Sequence, residues 1–348
     1  MLQIDGSQGE GGGQIIRSSL ALSAVTGKAF EVRNIRGGRK KPGLLKQHLT
    51  GLKAAREICG AGVTGAELLS SQFTFAPGPV QTRGFRFSIG SAGSATLVAQ
   101  TVLPALITAD GKSSIEIEGG THNMAAPPFD FVSESYLPLV SKLGPQFESN
   151  IQTYGFFPAG GGNIKIEIDP VPELKSLQLI DHGGTYQPTV TALVSRLPVH
   201  IGEREVTKIR RKAGWKLRDC QVRNITNSPG PGNCVMIRLK FPNVTEIFTG
   251  FGKKGVTAEQ VATNAWQQTA TYLAHEAPVG EYLADQLLLP LAIAAHQGQT
   301  SRFLTGELSM HTKTQIDIIN LFLEIDIQVV EKSPMQNEVV LSPKKAPT

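Results

Sequence analysis

The chain repeats one local pattern, and this repetition constrains its fold more than any other feature. Residues 9–38 read as a glycine-rich turn, a helix, a strand and a Gly-Gly pair, and residues 90–120 follow the same plan. A weaker third copy starts near Gly280 with an apolar helix and continues into an extended segment that ends near His311. Helices that alternate with strands in this way predict α/β units, each with a sheet on one side and helices on the other.

One segment, residues 183–274, interrupts the repetition. It begins after a Gly-Gly pair, carries a basic cluster, contains a Pro- and Gly-rich loop at 227–233 and closes with a predicted helix at 258–275. Because repeat-like sequence lies on both sides, we predict a large domain made of residues 1–182 and 275–348, with residues 183–274 inserted as a smaller α/β domain.

Composition places the chain among globular proteins with a core of their own. Of its 348 residues, 40% are hydrophobic and 18% are charged, which needs neither disulfides nor metals for a stable core. The three cysteines match neither a CxxC pair nor a zinc-site spacing. The longest apolar stretch, residues 97–109, is too short to span a bilayer, and no secretory leader pattern is visible. These features predict a cytoplasmic protein without a membrane partner.

Charge favours an anionic partner. The net charge is +5 and the sequence pI is about 9.0, a balance that suits nucleic acid or nucleotides. The basic residues form two clusters: Arg33, Arg36, Arg39, Lys40, Lys41 and Lys46, and then Lys208, Arg210, Arg211, Lys212, Lys216 and Arg218. Either cluster could equally be a solvated face, but the second gives a hypothesis of RNA binding by the inserted segment.

A glycine-rich loop at residues 5–13 leads from a strand into a helix. Backbone amides at a helix N-terminus suit phosphate oxygens, although the glycines could serve only a tight turn. Glu10 favours the first interpretation together with a cation, because Mg²⁺ is typically bound by one carboxylate and substrate phosphates. Arg17 follows on the helix and could reach the same phosphates. No GxxxxGK[ST] motif occurs, which disfavours a P-loop mechanism.

The stretch from residue 36 to residue 48 combines a basic loop with the start of a helix. Arg36 and Arg39 suit bidentate phosphate recognition on such a loop. The helix then carries Gln47 and His48. A single helical histidine is more often structural than catalytic, and we keep that interpretation for His48.

Several polar residues stand near the starts of the remaining repeat helices. Gln100 lies in the second copy, and Asp285 and Gln286 enter a very apolar helix, where they could cap the helix or contact a ligand. His311 could attack phosphorus if its ring were oriented and neutral. In the loop after the second repeat, Pro128 and Phe129 could form the wall of a base pocket.

The motifs resemble those of the RNA 3′-terminal phosphate cyclases. The resemblance rests on six segments in the same order, DGSQGEGGGQIIRSSLALS (5–23), IRGGRKKPGLLKQHLTGLKA (35–54), IGSAGSATLVAQTVLPAL (89–106), GFFPAGGG (155–162), EYLADQLLLPLA (281–292) and ELSMHTKTQ (307–315). It implies an α/β (α+β) fold whose large domain repeats βαβαββ-type units, similar to the C-terminal domain of a translation initiation factor, with a smaller inserted domain.

The resemblance also implies a reaction and its residues. His311 would take AMP from ATP, the RNA 3′-phosphate would receive the AMP, and the neighbouring 2′-hydroxyl would close a 2′,3′-cyclic phosphodiester. ATP, a divalent metal (Mg²⁺ or Mn²⁺) and RNA with a 3′-phosphate are the implied ligands. The implied metal residue is Glu10. The implied nucleotide and phosphate contacts are Arg17, Arg36, Arg39, Gln47, Gln100, Tyr282, Leu283, Ala284, Asp285 and Gln286.

Three other functions compete with this interpretation. One is a catalytically silent rRNA-processing member of the same fold, which the presence of His311, Glu10 and Arg17 disfavours. Another is an enolpyruvyl transferase, also built from repeated α/β units, although none of its long motifs occurs here. A pure RNA-binding module is disfavoured because only 6% of residues are aromatic, whereas such modules typically stack bases on aromatic-rich patches, and because no recognised RNA-binding signature occurs.

Overall fold

Three of the four sheets share one strand order, first–second–fourth–third, so the chain contains three copies of one unit. The computed structural model describes residues 1–344, and the last four residues of the predicted large domain lie outside this range. In every copy the first two strands are parallel, and the other pairs are antiparallel. A parallel pair needs a crossover connection, and each unit supplies it with a helix.

The first unit has the order βαβαββ. Its elements are β1 (Leu2–Asp5), α1 (Gly13–Thr26), β2 (Phe30–Arg33), α2 (Lys46–Cys59), β3 (Gly62–Thr64) and β4 (Phe73–Ala76). In β2, Phe30 and Val32 are fully buried while Arg33 is exposed, the period-two alternation of a sheet with one covered face.

The second unit keeps this order but replaces its second helix with a broken helical segment. Its elements are β5 (Gly84–Ser88), α3 (Ala95–Leu106), β6 (Ser113–Gly119), α4 (Phe129–Phe131), a π-helical turn (Val132–Tyr136), α5 (Leu137–Ser141), β7 (Gln146–Thr153) and β8 (Gly162–Asp169). The side chain of Ser94 accepts a hydrogen bond from the Leu97 amide and so caps α3.

The third unit is split by the inserted segment. It begins with β9 (Gln178–Leu179), and the chain then leaves to form a separate sheet before the unit resumes. The inserted elements are β10 (Gln187–Ser195), α6 (His200–Ala213), a 3₁₀ turn (Leu217–Asp219), β11 (Cys220–Asn224), β12 (Gly232–Lys240), β13 (Thr245–Phe251) and α7 (Ala258–His275). The division into two domains stays a prediction. It is favoured because the four inserted strands β10 to β13 pair with one another in a sheet of their own.

After the insertion the third unit is completed by α8 (Glu281–His296), β14 (Ser301–Thr305), α9 (Met310–Phe322), β15 (Ile325–Ser333) and β16 (Gln336–Pro343). Pairing of β9 with β14 shows that the first strand of this copy precedes the insertion, while α8 begins at Glu281, directly after the predicted start near Gly280. The predicted extended segment ends earlier than expected, because strand β14 stops at Thr305 and His311 lies in the first turn of α9.

The helices of the three units pack on one another and bring their N-terminal ends to one side. α1 contacts α2, α3 and α9, and α8 contacts α9. The mixed α/β class predicted from the sequence is confirmed. Among residues 1–344, no helix is both long and apolar enough to cross a membrane.

Candidate active site

A cleft of about 1430 Å³ opens where the helix N-termini meet. Its walls come from the first turns of α1, α2, α8 and α9, from α3, and from the basic loop at residues 36–43. Helix N-termini carry partial positive charge and free amides. Their convergence with several cationic side chains makes this cleft a site for anions.

Most residues predicted for the site line this cleft. The predicted residues found there are Glu10, Arg17, Arg36, Arg39, Gln47, Gln100, Tyr282, Asp285, Gln286 and His311. Leu283 and Ala284 do not join them, because their side chains are 0% and 2% exposed within the core. On α8, residues 282, 285 and 286 share one helical face, whereas residues 283 and 284 point to the opposite one.

His311 is tied to the first helix of the chain. Its Nδ1 lies 2.7 Å from Gln14 Oε1. The Gln14 amide nitrogen donates hydrogen bonds to Asp285 Oδ1 and, over 3.1 Å, to Gln315 Oε1. Ser18 donates its hydroxyl to the same oxygen of Gln315. The network therefore joins α1, α8 and α9 behind the exposed histidine.

This network selects one form of the His311 ring. Since the Gln14 amide nitrogen faces two acceptors, its oxygen must face His311, and a carbonyl oxygen can only accept. The proton of the neutral ring therefore lies on Nδ1, and Nε2 keeps its lone pair. The hydrogen bond to Gln14 therefore orients the ring so that Nε2, with its lone pair, is available for nucleophilic attack at the edge of the cleft.

Asp285 and Arg17 place opposite charges behind the ring. Burial raises the pKa of Asp285, while His311 and Arg17 favour its charged form. Burial lowers the pKa of Arg17 to about 10, with Asp285 opposing the shift. Arg17 therefore stays protonated at neutral pH and supplies a desolvated positive charge to the cleft.

His48 has a different character from His311. Burial, followed by the charges of Arg17 and Arg36, lowers the pKa of His48 to about 3. Its Nδ1 accepts a hydrogen bond of 3.2 Å from the Leu45 amide at the start of α2. A neutral histidine that caps its own helix agrees with the structural interpretation.

Glu10 fits a metal ligand. Its Oε1 pairs with Arg39, whose guanidinium also donates to the Glu10 carbonyl oxygen at 2.9 Å. The other oxygen, Oε2, is buried without a hydrogen-bond partner, which is costly for a carboxylate. Within residues 1–344, no cluster of three or more His, Cys, Asp or Glu side chains could hold a metal. A cation here would need substrate oxygens in addition to Glu10, the usual arrangement for Mg²⁺.

The basic loop is held by its own arginine. The Arg36 guanidinium donates to the carbonyl oxygens of Lys41 and Gly43, and burial lowers its pKa. Arg39, Lys40 and Lys41 remain exposed along the cleft. Arg36 thus shapes the loop, whereas the other three cations line the cleft with exposed side chains.

Part of the cleft wall is uncharged and partly apolar. Tyr282 is 51% exposed there, and the Gln100 amide donates to Gln286 Oε1. Pro128 lines this wall as predicted. Both phenylalanines are buried, but Phe131 contributes to the cleft lining and the predicted Phe129 does not. The correction has a helical cause, because residues 129 and 131 lie on different faces of the α4 turn.

Sequence reasoning missed several cleft residues, among them Gln14, three residues of β13, and the adjacent Leu68 and Leu69. Gln14 gave a weak signal as a polar residue at the start of an apolar helix, but its partner His311 is 297 positions away. Ile247, Thr249 and Phe251 on β13 bring the insertion to the cleft. Strand β13 has no motif that distinguishes it from a core strand.

The second basic cluster lies elsewhere. Lys208, Arg211 and Lys212 line a groove of about 600 Å³ along α6 together with Arg204, which pairs with Glu259. This groove shares none of its described lining residues with the cleft. RNA binding by this surface stays a hypothesis.

An exposed, oriented histidine among helix N-termini and guanidinium groups indicates an enzyme that handles phosphate groups. Comparison with known proteins gives the family. Residues 8–329 match the family model described as RNA 3′-terminal phosphate cyclase. The chain belongs to this family, and the prediction that it is an enzyme of this kind is confirmed.

Individual relatives agree over nearly their whole length. An RNA 3′-terminal phosphate cyclase of Koribacter versatilis is 48% identical over 332 residues, which cover 95% of this chain and 92% of the relative. The protein of that name from Salmonella enteritidis is 46% identical and covers 93% and 94%. One from Salmonella paratyphi C is 45% identical and covers 98% and 97%.

Proposed function

We propose that this chain converts an RNA 3′-terminal phosphate to a 2′,3′-cyclic phosphodiester at the expense of ATP, through an AMP-histidine intermediate on His311. The observation that carries the proposal is the hydrogen bond between His311 Nδ1 and Gln14 Oε1 at 2.7 Å, which leaves Nε2 free at the cleft. The family and the cations around the histidine support the choice of substrates.

In the first step, Nε2 of His311 attacks the α-phosphorus of ATP. A P–N bond forms, the bond to the bridging oxygen breaks, and pyrophosphate leaves. The ring becomes positive as the bond forms, and the chain from Nδ1–H through Gln14 to the Asp285 carboxylate stabilises that charge. Arg17 and the exposed cations of the basic loop offset the negative charge of the triphosphate.

In the second step, an oxygen of the RNA 3′-phosphate attacks the phosphorus of the bound AMP. The P–N bond breaks, its electron pair returns to Nε2, and the RNA carries AMP on its 3′-phosphate. In the third step, the neighbouring 2′-hydroxyl attacks the 3′-phosphorus, loses its proton and expels AMP. This closure is intramolecular and needs little more than correct orientation.

Glu10 is the residue that would hold a divalent metal, Mg²⁺ or Mn²⁺, through its unpartnered Oε2. Such an ion would neutralise phosphate charge on the nucleotide. Arg39 now pairs with the other carboxylate oxygen, and it is placed to exchange this contact for a phosphate when nucleotide enters.

Two further assignments accompany the proposal. Residues 183–274 act as an inserted domain that brings β13 to the cleft wall. The reaction takes place in the cytoplasm, a compartment that suits the free thiols of Cys59, Cys220 and Cys234.

Covalent labelling tests the proposal. The protein is incubated with ATP labelled in the α-phosphate and with Mg²⁺, without RNA, and the denatured chain is examined for label. We expect acid-labile, alkali-stable label on the parent and none on His311→Ala, because a phosphoramidate has this stability. Label on both proteins would move the nucleophile to another residue. Absence of label from folded parent would reject the mechanism and favour a silent RNA-processing role.

A further inference from the structure

Two adjacent leucines stand exposed at the rim of the cleft. Leu68 and Leu69 lie in the connection between β3 and β4, are 52% and 61% exposed, and both line the cleft. A single exposed leucine is ordinary on a protein surface. A neighbouring pair that lines the main cleft indicates apolar surface kept for a ligand.

The backbone is built to hold this pair outward. Leu69 has a φ of 66°, a left-handed conformation that costs energy in a residue with a side chain. Its amide donates to the Leu44 carbonyl oxygen at 2.8 Å, and the Leu44 amide donates to Ser70 at 3.0 Å. A Cβ on Gly43 would lie 2.3 Å from the Leu69 carbonyl oxygen, so only glycine permits this close approach.

These contacts join the leucine pair to the basic loop. Gly43 and Leu44 follow directly after the exposed cations Arg39, Lys40 and Lys41, which line the same cleft. This end of the cleft therefore combines an apolar platform with positive charge. Single-stranded nucleic acid presents the complementary features, because its bases have apolar faces and its backbone is anionic.

The size of the cleft leaves room for such a ligand beside a nucleotide. Its volume of about 1430 Å³ exceeds the roughly 300–1,000 Å³ of a typical small-molecule pocket. Tyr282, Gln286 and Pro128, which come from other elements of the lining, furnish groups that suit one base and ribose. The surface of Leu68 and Leu69 is then available to a second base.

We propose that Leu68 and Leu69 form the platform on which the base of the RNA 3′-terminal nucleotide packs. After pyrophosphate has left, Arg39, Lys40 and Lys41 bind the adjoining RNA phosphates. This inference rests on the proposed function. Aliphatic side chains contact the face of any base without reading its edge, so the platform accepts all four bases with similar affinity.

The test compares the parent with a Leu68→Asn, Leu69→Asn double variant. Asparagine tolerates the left-handed backbone at position 69, and labelling by ATP without RNA reports that the rest of the cleft is intact. We expect the KM for RNA 3′-phosphate to rise roughly tenfold, because the base would no longer bury apolar surface against the two leucines, with ATP labelling unchanged. Met335→Asn, at a 50% exposed apolar residue in the turn after β15, serves as the matched control and should leave the KM unchanged.

A second substrate, with an abasic 3′-terminal nucleotide, locates the contact. For the parent, the KM should rise about tenfold when the base is removed from the RNA. For the double variant, removal of the base should raise the KM little further, because the same contact cannot be lost twice. An unchanged KM in the double variant, or undiminished sensitivity to the missing base, would overturn the inference. So would a parent that sediments as a larger species than the variant, since the pair would then bind a second copy. Failure of the proposed function is separate, because it would appear as absent labelling in the parent.

Discussion

His311 Nδ1 and Gln14 Oε1 lie 2.7 Å apart although 297 positions of sequence separate the two residues. This contact fixes both the orientation of the ring and the nitrogen that carries its proton. Gln14 touches no reacting atom in the proposed steps, so its contribution is to position His311. Its removal should slow the reaction of the histidine rather than weaken nucleotide binding.

Gln14→Met keeps the volume of the side chain and removes its hydrogen bonds. We expect the rate of self-labelling by ATP to fall about 100-fold, the effect of losing the orientation of a reacting group, with a smaller change in the ATP concentration for half-saturation. Ser18→Ala, which removes only the outermost bond of the network, is the control and should change the rate less. Labelling of Gln14→Met at the parental rate would contradict this role.

Glu10→Gln tests the metal site. Because the variant removes the charge of the carboxylate with the buried, unpartnered Oε2, the Mn²⁺ concentration for half-maximal labelling should rise roughly tenfold or more. Binding of Mn²⁺ in the presence of ATP, followed by electron paramagnetic resonance, gives a readout apart from activity. Glu31→Gln removes a carboxylate on β2 that pairs with Arg33 and should have no effect. Equal metal dependence in Glu10→Gln and the parent would exclude Glu10 as a ligand.

Burial of neutral His48 should make the folded protein less stable at acidic pH. Burial and the nearby arginines lower its pKa from the ordinary 6.5 to about 3, so folding favours the neutral ring. This stabilisation is complete above pH 6.5 and is lost as the pH falls toward 3, by up to about 1.4 kcal/mol per pH unit for one proton. Urea unfolding of His48→Gln should depend less on pH between 6.5 and 4 than that of the parent. His200→Gln, at the exposed start of α6, is the control, and identical pH profiles for His48→Gln and the parent would refute the prediction.

Buried Glu246 should have the opposite effect and make the folded protein less stable as the pH rises. It lies on β13 of the insertion, accepts a hydrogen bond of 2.6 Å from the Gly280 amide at the start of α8, and burial raises its pKa from 4.5 to about 8. Folding therefore favours the protonated acid, and this stabilisation is lost as the pH rises through 8. Its neighbour Tyr272 has a pKa raised further by burial and stays neutral in this range.

Glu246→Gln keeps an acceptor for Gly280 and removes the titration. We expect its thermal unfolding temperature to vary less than that of the parent between pH 5 and pH 9, and to exceed the parental value at pH 9. A parent that is equally stable at both pH values would show that Glu246 does not carry this proton.

Local signals in the sequence predicted several helices closely, in the insertion as well as in the repeated units. Helix α7 has the predicted bounds of 258–275, and α3 starts at Ala95 as expected. Such helices are bounded by glycines, a Ser or Thr cap and a continuous apolar face, all of which lie within a few residues. Strand β9 was missed because it has two residues and its partner β14 follows the whole insertion.

The candidate site was predictable in its composition but not in its geometry. Motifs placed Glu10, Arg17, Asp285 and His311 together, whereas the turn of α8 decided that Leu283 would enter the core. The tautomer of His311 depends on Gln14 and its partners on three helices. Contacts between distant segments leave no local pattern, so sequence reasoning could not supply them.

The split of the third unit sets an order for assembly during synthesis. The first two units each consist of continuous chain and can close their sheets as they emerge from the ribosome, since domains fold from the N-terminus onward. Strand β9 must wait for β14 until the whole insertion has been made. His311 reaches Gln14 later still, so the ring arrives at a glycine-rich loop that has already formed. A chain that stops within the insertion would retain the proposed phosphate-binding loop but would lack the proposed nucleophile.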